Sequence, residues 1–349
     1  MKNLLFLLLI LLNFGASSQN QNVLFIGNSY THYNNMPKLF ERIAKANNHV
    51  VYADSIAVSG STLKQHAERP TTYAKMKKKP WNIVVIQGFS REFAQDSSVI
   101  MTETLPYVRQ LIDSVLTFSP CAQIYFYMTW GYKEGFADEE ANNTYEKMQA
   151  RILSGYKLLQ KEFGYPIVPV GLVWKDIREN HPEINLYEAD NQHPNFNGSY
   201  TIATTFYTAF FNKTSNGEFS PVKLNQSWKP TLISTASKII RDNYSFFKLD
   251  SLTHPMPVVP PIMDFSIREH WTNISIQNRT KYYNSIIWDF GDGSVSKKYH
   301  PKHYYEKNGT YTVTLTVVRD CHEFVLTKKI TVSHSDKYAT SNPKKKKKS

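Results

Sequence analysis

"VLFIGNSYTH", Val23–His32, decides how this chain is read. Four apolar residues, Val23 to Ile26, run without a break into Gly27, Asn28 and Ser29. A short apolar run bounded by turn formers has the form of a buried strand. Gly, Asn and Ser all favour turns, so one reading is a plain strand end. The other is a serine displayed as a nucleophile at the carboxyl end of that strand. These ten residues do not choose between the two.

Outward from this stretch, apolar runs alternate with longer amphipathic ones up to about Asp250. "NVLFIG" is followed by Leu39, Ile43 and Ala44 at helical spacing, then by strand-like "VVYADSIAV" and "WNIVVIQG". "ETLPYVRQLIDSVLTF" puts Leu105, Val108, Leu111, Ile112 and Leu116 on one helical stripe. "AQIYFYMTW" reads as a fourth strand, and "NTYEKMQARILSGYKLLQKEFG" as a long helix capped by Gly164. "YPIVPVG" reads as a short fifth strand and "GSYTIATTFYTAFF" as a last, aromatic-rich helix. Strands alternating with helices predict a mostly parallel sheet covered on both faces.

The pattern then changes. "THPMPVVPPIMD", Thr253–Asp264, carries Pro255, Pro257, Pro260 and Pro261, which makes a stiff linker. Beyond it come "FSIREHWTNISIQ", "SIIWDFGDGS", "GTYTVTLTVVRD" and "HEFVLTKKITVS". Thr310, Thr312, Thr314 and Thr316 share one face, while Tyr311, Val313, Leu315 and Val317 share the other. That alternation predicts half-buried antiparallel strands and a small β-sandwich. The expected organisation is a signal peptide over 1–18, an α/β domain over 19–250, a proline-rich linker over 251–258, a β-sandwich over 259–334 and a basic tail over 335–349.

Composition limits the function classes. The chain has 349 residues, 41% hydrophobic and 20% charged, enough to build packed cores. Its net charge is +12, but five of the lysines are Lys344–Lys348, a charge run expected to act as a solvated end. No basic stripe interleaved with aromatics runs through the body, so nucleic acid is not an expected partner. Lys2, the apolar run Leu4–Leu12 and the small Ala16 and Ser18 before Gln19 predict a cleavable leader and a secreted or periplasmic protein. That run is too short for a stable membrane span, and no lipoprotein cysteine follows it. Cys121 and Cys321 fall in different expected domains, which excludes a disulfide framework and predicts buried free thiols. No metal-type spacing and no glycine-rich phosphate loop are present, so no metal and no cofactor are expected.

A second stretch answers the question raised by the first. "YEADNQHPNFNGSY" carries Asp190 and His193 three residues apart, just before the aromatic helix. Ser29 after the first strand, with Asp-x-x-His near the end of an alternating chain, resembles the SGNH, or GDSL-type, hydrolase superfamily. The likeness runs from about Asn22 to Phe211 and is strongest to secreted bacterial members beginning "FIGNS". It implies a flavodoxin-like three-layer sandwich and a Ser29–His193–Asp190 acyl-enzyme mechanism. Chemically, a serine is a poor nucleophile until a base takes its proton, and His193 oriented by Asp190 would serve. The plainer alternatives are a helix-capping loop histidine and a turn aspartate.

The resemblance also implies an oxyanion hole. Its donors are the amide of Ser29, the amide of Gly60 in "AVSGST", and an asparagine side chain after the third strand. Here the third position reads "VVIQGFSRE", without asparagine. Gln87 preserves a carboxamide donor and is the expected substitute, with Ser90 as the alternative. Asn28 stands where many members have Asp, and is read as a tolerated variant. Trp130 is expected to pack on the core, and His32 and His66 to play surface or packing roles.

"WDFGDGS", Trp288–Ser294, followed by "YHPKHYY" and "NGTYTVTLTV", resembles the PKD family of immunoglobulin-like sandwiches over about Val259–Ser333. Asp289 and Asp292 read as turn aspartates rather than calcium ligands. The function expected is a secreted serine esterase that removes short acyl groups from carbohydrates. Its partners are an acylated carbohydrate or other small ester, with glycan or cell-surface contact through the sandwich. The alternatives are a catalytically weak binding protein and a lipase or thioesterase acting on longer chains.

Overall fold

The computed structural model describes residues 21–252, 261–319 and 322–333. The chain divides into two compact units between residues 254 and 255. The expected leader, the basic tail and residues 253–260 of the proline-rich segment lie outside the described residues.

The first unit is built on β1 (Gln21–Gly27), β2 (Val51–Ala57), β3 (Ile83–Ile86), β4 (Gln123–Tyr127) and β5 (Ile167–Val168). They are all parallel, in the order β2-β1-β3-β4-β5. That is the flavodoxin-like, doubly wound order, and such sheets place sites at the carboxyl ends of their strands. β1 pairs on both edges: Val23 lies opposite Ala53 and Ile83, and Ile26 opposite Ile56 and Ile86. Val23, Leu24, Phe25 and Ile26 are 0% exposed, as expected of an inner strand covered on both faces.

Helices Met36–Ala46, Val170–Asn180, Phe196–Phe211 and Lys229–Asp242 pack together as one layer. Leu63–Glu68, Pro70–Lys77, Leu105–Phe118 and Tyr145–Phe163 form the other, joined in part by an Arg109–Glu162 ion pair. Met36–Ala46 buries Leu39, Phe40, Ile43 and Ala44, a stripe at helical spacing. Tyr145–Phe163 begins where the Thr144 side chain accepts from the Lys147 amide, and ends at Gly164 with φ +77°.

Three local readings change. The stretch "YPIVPVG" gives only two strand residues, because a helix starts at Val170 immediately after Pro169. Phe196–Phe211 is not the last helix, since Lys229–Asp242 follows and buries Leu232, Ala236 and Ile240 against it. Cys121 is not a buried free thiol: it sits on an exposed turn before β4, and no cysteine among the described residues is free.

The second unit contains two antiparallel sheets. One is β10 (Lys302–Tyr304), β7 (Asn273–Asn278) and β6 (Phe265–His270). The other is β12 (His322–Val332), β11 (Gly309–Arg319), β8 (Ser285–Asp289) and β9 (Val295–Ser296). "FSIREHWTNISIQ" is a hairpin rather than one strand, because Trp271 adopts φ +58° and reverses the chain. Val313, Leu315 and Val317 are fully buried with Trp288, while the alternating threonines face outward. Trp288 donates through its indole to the Lys298 carbonyl at 3.0 Å. Gly291 and Gly293, at φ +79° and +92°, make the turn that follows β8. Asp289 and Asp292 accept from the amides of Gly291 and Ser294, the work of turn aspartates.

Helix Tyr145–Phe163 packs tightly enough on the short turn Glu92–Ala94 to give a test with an unambiguous sign. A Cβ at Gly155 would lie 2.2 Å from the backbone oxygen of Phe93. In an open helix Gly→Ala stabilises by up to ~1 kcal/mol. Here Gly155→Ala should instead destabilise by ~1–3 kcal/mol through overpacking. Thermal melts should show a lower Tm, and an unchanged or raised Tm would contradict this packing.

Candidate active site

The site begins where β1 ends. Gly27 has no room for a side chain: a Cβ there would lie 2.4 Å from Gln87 Oε1 and 2.5 Å from Thr31 Oγ1. The chain then turns into a short helical turn, Ser29–His32, capped by Asn28, whose side chain accepts from the Tyr30 amide. Gln87, directly after β3, braces this turn. Its Oε1 accepts from the Asn28 amide and the Thr31 hydroxyl, each at 2.9 Å. Its Nε2 donates to Asn28 Oδ1 at 3.0 Å and to the Gly88 carbonyl at 2.5 Å. Asn28 Nδ2 in turn donates to the Ser61 carbonyl, a bond that an aspartate could not make. Ser29 is thereby presented at the carboxyl edge of the sheet.

Asp190 and His193 come from a loop closed by the bridge Tyr187–Pro194. Asp190 Oδ1 accepts from the amides of Gln192 and His193 at 3.0 and 2.9 Å. Its Oδ2 lies 2.5 Å from His193 Nδ1, and His193 Nε2 lies 2.9 Å from Ser29 Oγ. An ionised carboxylate only accepts, so Nδ1 carries the proton and Nε2 accepts from the serine hydroxyl. Burial pushes the Asp190 carboxyl upward, but the His193 amide, the His193 ring and the Gln192 amide outweigh it and hold it below the ordinary range.

Rings fix the imidazole. Tyr33 stacks on His193 at 4.5 Å, and Tyr30 meets it edge-on at 5.6 Å. Trp130 stacks between Tyr30 at 4.4 Å and Trp174 at 3.9 Å, and donates to the Gln192 carbonyl. The core role expected for Trp130 is thus one that also ties the serine turn to the histidine loop. His66 is likewise internal. Burial lowers its pKa to about 4, so it stays neutral, donating from Nε2 to the Gly27 carbonyl and accepting at Nδ1 from Thr72. His32 pairs with Ser59 at 2.8 Å.

A cleft of about 470 Å³ opens over Ser29 and His193. Gly60 lies on its wall, in a turn at φ +69°. Gln87 does not line it: the residue is 1% exposed, and both ends of its amide are engaged behind the serine turn. Of the two candidates for a third donor, Ser90 is the one that lines the cleft. Ser90 Oγ is 2.9 Å from the hydroxyl of Tyr132, a residue that sequence reasoning missed. If Tyr132 donates to Ser90, the serine proton is left to point into the cleft. Phe89, Arg91, Phe136 and Gln192 complete the wall. Among the described residues, no group of three or more His, Cys, Asp or Glu side chains could hold a metal ion. No helix among them is long and apolar enough to cross a membrane.

Comparison with known proteins agrees with this architecture. Residues 270–333 match the family model of the PKD domain. The PKD1 domain of the Vibrio cholerae metalloprotease PrtV is 30% identical over 22% of this chain and 100% of its own, with a TM-score of 0.21. A DUF4886 family protein from Bacteroides uniformis is 16% identical, covers 64% of this chain and 95% of its own, and gives a TM-score of 0.56. It shares the fold of the first unit. A family 3 carbohydrate esterase from Clostridium thermocellum is 13% identical over 54% of this chain and 94% of its own, with a TM-score of 0.38. The chain thus joins a doubly wound α/β unit, with the fold of the DUF4886 family protein, to a unit that matches the PKD domain model.

The brace makes a prediction that separates structure from chemistry. Gln87→Ala removes a buried side chain and leaves the Thr31 hydroxyl without its acceptor. It should lower stability by ~1–3 kcal/mol, the penalty for unsatisfied buried polar groups. A Tm equal to wild type, with activity lost, would favour Gln87 over Ser90 as a chemical participant.

Proposed function

We propose that the first unit is a serine esterase that cleaves carboxylic esters through an acyl-enzyme. The hydrogen-bonded line from Ser29 through His193 to Asp190, opening on a cleft, carries this reading. His193 Nε2 takes the Ser29 proton as Oγ bonds to the ester carbonyl carbon, and Asp190 stabilises the imidazolium. The tetrahedral oxyanion is met by the amides of Ser29 and Gly60 and by the Ser90 hydroxyl. The imidazolium returns its proton to the departing alcohol, leaving the acyl group on Oγ. Water then attacks, His193 again takes and returns the proton, and a carboxylic acid leaves. No cofactor enters these steps.

The cleft supports a short acyl group on a carbohydrate alcohol. Tyr33, Phe89 and Phe136 offer flat faces for a sugar ring, and Ser59, Arg91 and Gln192 offer polar groups for hydroxyls. A long aliphatic chain would strip water from those polar groups and offer no hydrogen bond in its place. The leader expected at the N-terminus and the PKD domain support action outside the cell or in the periplasm. The PKD domain would serve as a spacer or as a contact to glycan or cell surface.

Hydrolysis of p-nitrophenyl acetate against p-nitrophenyl decanoate tests the substrate reading, with acetate expected to be favoured. A fluorophosphonate should label wild type and not Ser29→Ala. His193→Ala should lower kcat by ~10⁴. Ser90→Ala should lower kcat by ~10² with little change in KM, since that bond forms mainly in the transition state. Equal labelling of wild type and Ser29→Ala would refute the nucleophile, and a faster decanoate reaction would turn the reading to longer acyl chains.

A further inference from the structure

Glu92 takes no part in the steps above, yet it joins two of the walls of the cleft. It lies in the short turn Glu92–Ala94, two residues after Ser90. Its Oε1 accepts from the Leu63 amide at 3.0 Å, and its Oε2 accepts from the Phe89 amide at 2.5 Å. Leu63 opens the helix that follows the Gly60–Ser61 turn, and Phe89 is the neighbour of Ser90. The loop is folded tightly back on itself: a Cβ at Gly88 would lie 2.5 Å from the Phe93 ring and 3.1 Å from Glu92 Oε2. We infer that Glu92 is the positioning residue of the anion hole, fastening the turn that carries Gly60 to the turn that carries Ser90 so that the two donors keep one separation. The inference rests on the esterase reading of these donors.

The surroundings fit a group retained for geometry. Cations on adjoining segments are engaged elsewhere: Arg91 with Glu139 and the Phe136 ring, Arg151 with Asp96 and the Ala94 carbonyl, and Lys64 over the Tyr107 ring. The titratable side chain near it on helix Tyr145–Phe163 is Tyr156, a buried phenol that stays neutral. Burial pushes the Glu92 carboxyl up to about 7, against the pull of the Leu63 and Phe89 amides. An unfolded glutamate ionises near 4.5, so ionising Glu92 in the fold costs stability as pH rises from about 4.5 to about 7. Above that window both oxygens accept. Below it, one of the two oxygens becomes a hydroxyl, a poorer acceptor, and its tether to the facing N–H weakens. Activity through this route therefore falls as pH drops below about 7.

The test is kcat and KM for p-nitrophenyl acetate from pH 5 to 9, on wild type, Glu92→Gln and Ser29→Ala, with thermal melts as the folding control. An amide keeps the shape but presents an NH₂ to one of the two N–H groups. Glu92→Gln should lower kcat ~10–100-fold at pH 8 with KM little changed, the scale of a small misplacement of catalytic groups. In wild type the acid limb of kcat should include a deprotonation near pH 7 that Glu92→Gln lacks. In NMR spectra the Leu63 and Phe89 amides should titrate together in wild type and not in the variant. If Glu92→Gln does not fold, Glu92→Asp serves, because its shorter arm reaches one amide only and should give the same loss. A kcat within about twofold of wild type, in a protein whose Ser29→Ala variant is dead, would overturn this inference alone. Retained hydrolysis by Ser29→Ala would overturn the esterase reading and this inference with it.

Discussion

The carboxyl ends of β1 and β3 approach so closely that the side-chain amide of Gln87 fills the space where a Gly27 side chain would be. The rest of the site depends on this contact. It stops β1 abruptly, pins the Asn28 amide and Thr31, and fixes the turn from which Ser29 projects. Asn28 passes the constraint on to the Ser61 carbonyl, next to Gly60. His66 reaches the same strand end from the other side, through the Gly27 carbonyl. Buried polar groups this thoroughly paired specify one conformation, because each alternative leaves a donor or acceptor unmet.

The second half of the site is held by rings. The Tyr30–Trp130–Trp174 stack runs under the serine turn and the histidine loop, and the Trp130 indole holds the Gln192 carbonyl within that loop. Trp130, three residues beyond β4, thus bridges the turn and the loop whose facing side chains are 164 positions apart in the chain. Precision comes from fully buried neighbours, while the proposed reacting atoms face an open cleft. Glu92 adds the opposite kind of element, a carboxyl whose ionisation the fold resists and which the proposed chemistry uses for placement.

Much of this was legible because it is local. An apolar run ending in Gly-Asn-Ser marks both a buried strand and its terminus, and Asp-x-x-His puts a carboxylate and an imidazole within one turn. The mostly parallel sheet followed from alternating elements, and the sandwich from the period-two pattern of Thr310–Val317. What sequence could not give is direction. Gln87 and Ser90 are both donors after β3, and only the path of the chain turns Gln87 inward behind Ser29 and Ser90 toward the cleft. Tyr132 was hidden for the same reason, since its hydroxyl matters through a contact 42 residues away. The helix at Val170 was masked by Pro169 and Gly171, which read as punctuation. The β6–β7 hairpin was masked because Trp271, not Gly or Asn, takes the left-handed turn position.

In the mechanism we propose, Ser29 attacks while Gly60, Ser90 and the Ser29 amide surround the charge that forms. A crystal structure of the protein inactivated with diethyl p-nitrophenyl phosphate tests it most directly. The predicted result is a diethylphosphoryl group on Ser29 Oγ, its phosphoryl oxygen within ~2.7–3.1 Å of the Ser29 and Gly60 amides and the Ser90 hydroxyl. A phosphoryl group on another residue, or an oxygen on Ser29 turned away from both Gly60 and Ser90, would contradict it.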